Sequence, residues 1–356
     1  VENRDPGLLR KLCLAPGPTG FEGPALAVIR DRFAALGSPE GDPLGNVWLT
    51  LGPADGPQVA VAAHADQIGL IVTYVDEHGY LSVDAVGGVA PLLVPGRHFV
   101  VRGKGGPVHA VGGRKPTHII PMDERDKAPA LEEQFLDIGA PDRAAALERV
   151  AVGDPVTFTP DFVELRPGVV ASQALDDRAG VYSMLRALEL YAARPGAARL
   201  TGIATVHEET TYMGARAQAL RLTPDVVIVI DGDFCSDTPA ADAKKLAGEV
   251  RLGAGPVLQR GAGSNERLLA LARDVAAGEG IPVQVKACPA DTQTDADELM
   301  AAGRAATLSV GVPVRYMHSP FEVAHLDDLE ATARLVAALA RQAGETWSAD
   351  AFVPRP

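Results

Sequence analysis

The spacing of apolar positions divides the chain into three stretches of different texture. Leu8, Leu9 and Leu12 recur at helical spacing, as do Leu26, Ile29, Phe33 and Leu36 ahead of Gly37, so two helices are predicted at the start. Short apolar runs at 47–49 and 59–62 then predict strands. From about 71 to 162 β-type runs at 71–75, 99–101 and 156–158 alternate with Gly87-Gly88, Gly105-Gly106 and Gly112-Gly113. One helical pattern, 144–150, interrupts them. A small inserted β-barrel has this texture, and so does an all-β stretch of a larger sheet.

Beyond Val169 helices and strands alternate. Helical patterns at 179–190, 213–222, 266–277 and 298–302 precede strand-type runs at 200–206, 226–230, 283–286 and 306–310. A last helix over 327–342 carries Leu329, Leu335, Val336 and Leu339 on one stripe. The alternation predicts an α/β fold with a mixed, largely parallel sheet sandwiched by helices. The expected domains are 1–70 with 163–356 as the α/β body, and 71–162 as the inserted β-barrel.

Composition narrows the function. A chain of 356 residues exceeds what one core usually serves, which fits a body plus an insert. A formal net charge of −13 argues against nucleic acid or an anionic membrane as partner. No apolar run reaches the length of a membrane span, and Val1-Glu2-Asn3-Arg4-Asp5 has no charged-then-apolar export pattern. Cys13, Cys235 and Cys288 are odd in number and lack a Cys-x-x-Cys spacing, so a reducing cytoplasm is expected.

In open α/β sheets ligands gather beyond the carboxyl ends of strands. His64 with Asp66, Glu208-Glu209, Asp231 and His318 fall after predicted strands, and Asp176-Asp177 precede a predicted helix. Each has a plainer reading. A single histidine is usually a hydrogen-bonded core residue, paired aspartates usually cap a helix, and first-turn glutamates favour a helix N-terminus. His318-Ser319-Pro320 also reads as a turn. Asp231 is the hardest to explain away, because an acid capping a buried apolar strand is costly unless paired or metal-bound. Together, two histidines and several carboxylates suit Zn²⁺, Co²⁺ or Mn²⁺, with ligands enough for two cations sharing a carboxylate. Such a pair activates water, and one of the two adjacent glutamates is then free to move the proton. Competing motifs are weak: Gly103-Lys104-Gly105-Gly106 lacks the helix of a phosphate loop, and Ser172 and Ser183 lack a nucleophile-elbow context.

In this order the motifs resemble those of the tetrahedral (TET-type) aminopeptidases, a family of glutamyl, lysyl and deblocking enzymes with some members labelled endoglucanase. The matching segments are 63–69 (AHADQIG), 174–178 (ALDDR), Glu208-Glu209 with Gly214-Ala215, Asp231 with Asp237 and Pro239, 294–296 (TDA) and 318–323 (HSPFEV). Segments 18–22 (PTGFE) and 136–140 (LDIGA) also fit, so the resemblance runs from about 6 to 343. It implies a peptidase fold with a β-barrel dimerisation insert, and dimers assembled into a twelve-subunit tetrahedron that admits short peptides. It further implies His64, Asp176, Glu209, Asp231 and His318 as ligands of two divalent metals, Zn or Co, with Asp176 bridging. Asp66 would orient His64, Asp177 would steady its turn, and Glu208 would be the general base that passes a proton from water to the leaving amine.

The chain departs from the pattern at several points. His207 stands where Gln is common, residues 210–213 (TTYM) replace a Gly-containing segment, Gln293 replaces a Gly, and Asp233 is an extra acid, read as belonging to a solvated loop. These changes bear on side-chain preference. Two other functions fit less well: a glycosidase using Glu208 or Glu209 with Asp176, which needs no histidines, and a metal-bound assembly subunit without turnover.

Overall fold

A computed structural model describes residues 5–124, 129–239, 241–301, 305–348 and 350–353. The reading of Val1 to Arg4 as free of an export signal, and Ala302 at the end of one expected helix, lie outside the described residues. An eight-stranded sheet forms the body, in the order Glu40–Gly41, Val47–Leu51, Arg199–Thr205, Gln58–His64, Val226–Phe234, Ala306–Val314, Val257–Gly261 and Gln284–Cys288. The central four are parallel to one another. Val47–Leu51 joins one side antiparallel, and Val257–Gly261 joins the other.

The continuous apolar runs follow from burial on both faces. Alternate residues of each central strand sort into two cores. Val59, Val61, Val226, Ile228 and Ile230 pack under helices Pro6–Leu14, Gly23–Ala34, Leu175–Ala193, Glu266–Gly278 and Leu326–Thr346. Ala60, Ala62, Val227 and Val229 face the opposite way, against Ala215 of helix Met213–Arg221 and Ala296 and Leu299 of helix Asp295–Ala301. Leu326–Thr346 packs lengthwise on Leu175–Ala193, and its buried stripe includes Leu329, Leu335, Val336 and Leu339. Each such leucine, taken out of water, contributes roughly 1.5–3 kcal/mol. No helix among the described residues is long and apolar enough to cross a membrane.

The Gly-rich stretch is a closed barrel. Its strands run Gly69–Val75, Leu81–Val86, Phe135–Asp137, Gly106–Gly113, His98–Gly103 and Pro155–Phe158 around the circle. It encloses a core of its own that includes Leu70, Val72, Leu81, Phe99, Leu136 and Phe158. Of the two architectures its texture allowed, the barrel is the one formed. A third, small antiparallel sheet joins Phe162–Arg166, Val169–Ser172 and Glu322–His325. It pairs Ser172 with Glu322, and so brings the entry to the Asp176-Asp177 turn beside the exit from the His318 loop.

Candidate metal centre

The central sheet splits where the polar residues gather. Val226–Phe234 pairs with Gln58–His64 only from Val226↔Val59 to Val229↔Ala62. Beyond that, Gln58–His64 stays with its other neighbour as far as His64↔Thr205, while Val226–Phe234 follows Ala306–Val314 to Phe234↔Val314. The two strands part, and His64 and Asp231, each two residues past the last shared pair, face one another across the opening. This is the crevice in which α/β sheets bind ligands. Asp231 therefore lies inside a strand, where sequence reasoning ended the strand at Ile230. The difference arises because pairing with Ala306–Val314 continues for its full length.

Around the crevice the structure brings together all eight candidates. His64 Nε2 lies 3.3 Å from Asp176 Oδ1, 3.8 Å from Asp231 Oδ1 and 3.9 Å from Glu208 Oε2. His318 Nε2 lies 3.4 Å from Asp176 Oδ2 and 3.3 Å from Glu209 Oε2. Asp176 thus presents one oxygen to each histidine. His64, Asp176 and Glu209 offer donor atoms all within 4.8 Å of one another, as do His64, Asp177 and Asp231. His318 does not end a strand as expected. It sits in the loop between Ala306–Val314 and Glu322–His325, with φ 60°.

Other groups hold these donors from behind. Asp66, fully buried, accepts hydrogen bonds from the backbone N–H of Glu208 and Glu209 (both 3.1 Å) and from Thr19 Oγ1 (2.7 Å). Its Oδ1 also faces His64 Nδ1 at 3.4 Å, without hydrogen-bond geometry. Asp66 therefore holds the glutamate pair through its two backbone amides, while His64 is a close neighbour without a hydrogen bond to it. Asp177 accepts from His64 N (3.2 Å) and Gly180 N (2.9 Å), so it caps the helix and ties it to the strand. The Asp176-Asp177 peptide is cis. Tyr212 and Gln293, which line the cleft with His318, share its positive φ, the conformational strain that concentrates at functional sites.

The electrostatics are those of a site built for added positive charge. Burial pushes Glu208 up to about 11, with His64 pulling the other way and Asp231, Asp295 and Asp176 adding to the rise. Burial raises Asp231 as well, against the pull of His64. For His64 burial opposes the charged form, but Glu208, Asp176 and Asp66 outweigh it and the ring is held well above its usual value. His318 is raised in the same way to about 11, chiefly by Asp176 and Glu209 against its burial. Two imidazoles cannot neutralise this many buried carboxylates. A bound divalent cation would invert the balance, favouring ionised acids and neutral rings. The oxygen and imidazole donors fit such an ion.

Two participants lacked a sequence signal of their own. Glu322, 2% exposed, accepts from Asp176 N (2.9 Å) and His318 N (2.8 Å), so one carboxylate sets the positions of two donors 142 residues apart. Only its place in the HSPFEV segment marked it. Asp295, buried behind His64, is hydrogen-bonded by Thr205 Oγ1, has its other oxygen unpartnered, and is pushed up to about 7 by burial. The departures resolve differently. His207 is absent from the donor groups. Asp233 is not in a solvated loop: it lies in strand Val226–Phe234, 2% exposed and hydrogen-bonded to Lys286 Nζ, because that strand runs past its expected end. Gln293 borders the cleft of about 400 Å³ that also contains Asp176, Glu208 and His318.

A split α/β sheet with buried imidazole and carboxylate donors at its carboxyl end, and a barrel beside it, defines a hydrolase architecture. The chain belongs to the M42 glutamyl aminopeptidase family, whose profile matches residues 45–335. It is accordingly an enzyme acting on peptide bonds, and membership implies divalent metal ions. It is 33% identical over 339 residues to a lysyl aminopeptidase of Pyrococcus furiosus, covering 93% of this chain and 95% of that protein. An aminopeptidase from the archaeon Desulfurococcus kamchatkensis superposes with a TM-score of 0.90 at 30% identity, covering 98% and 97%. The TET1 peptidase of Pyrococcus horikoshii, described as assembling into a tetrahedron or a large octahedral shell, superposes at 0.84 with 29% identity, covering 94% and 98%.

Proposed function

We propose that the chain is a dinuclear-metal aminopeptidase that removes the N-terminal residue from short peptides. His64, Asp176 and Asp231 would hold one divalent cation, and Asp176, Glu209 and His318 the other, with Zn or Co suiting both sets. The observation that carries this reading is Asp176, with one oxygen toward His64 and the other toward His318. When bound, the ions polarise the scissile carbonyl and make water a nucleophile near neutral pH.

The chain's own residues supply the rest. Glu208 has its Oε2 3.9 Å from His64 Nε2, at the edge of the donor set, and so is free to take the proton of the attacking water and deliver it to the leaving amine. Asp66 keeps Glu208 and Glu209 in separate roles by fixing their backbone amides. Glu208→Gln keeps the shape and removes the base. Metal content by elemental analysis should stay at the wild-type level while turnover falls by about 10²–10⁴-fold. A loss below tenfold would take Glu208 out of this role.

Homo-oligomerisation through the barrel is part of the same reading. Leu92, Val111, Ile119 and Met122 are exposed on it, apolar positions that a partner subunit would cover. Dimers assembled into a dodecamer would place the site in an enclosure reached by short peptides. Three buried, unpaired cysteines suit a reducing cytoplasm.

A further inference from the structure

Resting on the aminopeptidase reading, we propose that Asp233 and Lys286 form the end wall of the pocket that receives the side chain of the substrate's first residue, and that their mutual neutralisation selects an uncharged side chain. Placement comes first. Asp231 and Asp233 are two residues apart on one strand, so they face the same side about 7 Å apart. Both line the cleft that contains Glu208 and His318. A side chain leaving the reacting carbonyl along this strand reaches Asp233 within the length of a leucine or glutamine.

At that wall both charges are already spent. Lys286 Nζ is hydrogen-bonded to Asp233 Oδ1, and Gln259 Nε2 approaches Oδ2 at 3.5 Å. The Asp233 side chain is 1% exposed and that of Lys286 15%, so solvent does little to loosen the pair. Gly311 on the neighbouring strand leaves room for the acid, since a Cβ there would lie 2.6 Å from Asp233 Cβ. Phe234, whose ring centroid is 5.7 Å from Lys286 Nζ, and Met317 add apolar surface. Asp291 also borders the cleft, but it is exposed and its field is screened by water. A glutamate or lysine side chain entering here would be desolvated against a pair with no net charge to repay it.

The test uses metal-reconstituted enzyme and dipeptides X-Ala and Ala-X, with X as Leu, Gln, Glu or Lys. Wild type should prefer Leu or Gln at the first position. Asp233→Asn is nearly isosteric and frees one positive charge, so kcat/KM for Glu-Ala relative to Leu-Ala should rise about tenfold or more. Lys286→Met leaves an acid for an incoming ammonium and should raise Lys-Ala in the same way. If Lys286→Met fails to fold, Asp233→Asn decides alone. The proposal is overturned if wild type prefers Glu or Lys at the first position, if the X-Ala ranking is unmoved, or if only Ala-X changes. Wild type inert toward every dipeptide overturns the aminopeptidase reading itself, and this inference with it.

Discussion

The residue that best separates a positioned site from a mere cluster is Glu322. It is not among the proposed metal ligands, yet its two oxygens hold the backbone amides of Asp176 and His318. Removing an acceptor from buried N–H groups costs about 1–3 kcal/mol for each. Loss of a group that orients a metal ligand typically lowers affinity by about 10–100-fold. Glu322→Ala should therefore weaken metal retention on dialysis against a graded chelator, and excess metal should restore part of the activity. Metal retention equal to wild type would show that the Ser172–Glu322 strand pairing positions these donors without the carboxylate. The candidate donors stood out in the sequence by their combination and the order of their motifs, with Asp231 alone conspicuous by itself as an acid at the end of a buried apolar run. Glu322 carried no such mark, since its partners are backbone amides that any acid in any loop can meet.

At the scale of elements, the helix Leu175–Ala193 shows why its start was harder to read than its length. Apolar periodicity begins at 179, but Asp176 and Asp177, at its N-terminus, are non-helical. The carboxylate of Asp177 folds back over Gly180, so closely that a Cβ there would collide with both of its oxygens. Helix propensity alone favours alanine over glycine by about 1 kcal/mol. The collision should win, because Asp177 also holds His64 N. Gly180→Ala is expected to lower both the thermal midpoint and the turnover, and a stabilised, fully active variant would refute the buttressing role. The same logic governs Val226–Phe234, whose last four residues were read as following the strand. Local pattern ends with the apolar run at Ile230, whereas the strand ends with its neighbour, and a neighbour distant in sequence leaves no trace in a local window. That one extension placed Asp231 in the crevice and buried Asp233.

For the molecule as a whole, the barrel and the α/β body meet at the site. Gly87 and Gly88 follow strand Leu81–Val86 and reach across to the body, where a Cβ on Gly88 would lie 2.5 Å from His318 Nδ1 and one on Gly87 3.2 Å from the Glu209 carbonyl. The Gly-rich texture that signalled a barrel thus had a second cause at this turn, a close approach to two donors that only glycine permits. An insert that mediates assembly would then also bear on Glu209 and His318, the proposed ligands of one ion. Gly88→Ala should push the His318 ring out of line while leaving the barrel core untouched. Bound metal is expected to fall from about two toward one per chain under limiting supply, with kcat reduced and the light-scattering mass unchanged. His318→Ala should give the same stoichiometry and serves as the reference. Retention of both ions by Gly88→Ala would mean that the ring has room to swing and that the barrel does not constrain the centre. A change in assembly mass accompanying the metal loss would instead mean that the turn acts through the interface between subunits.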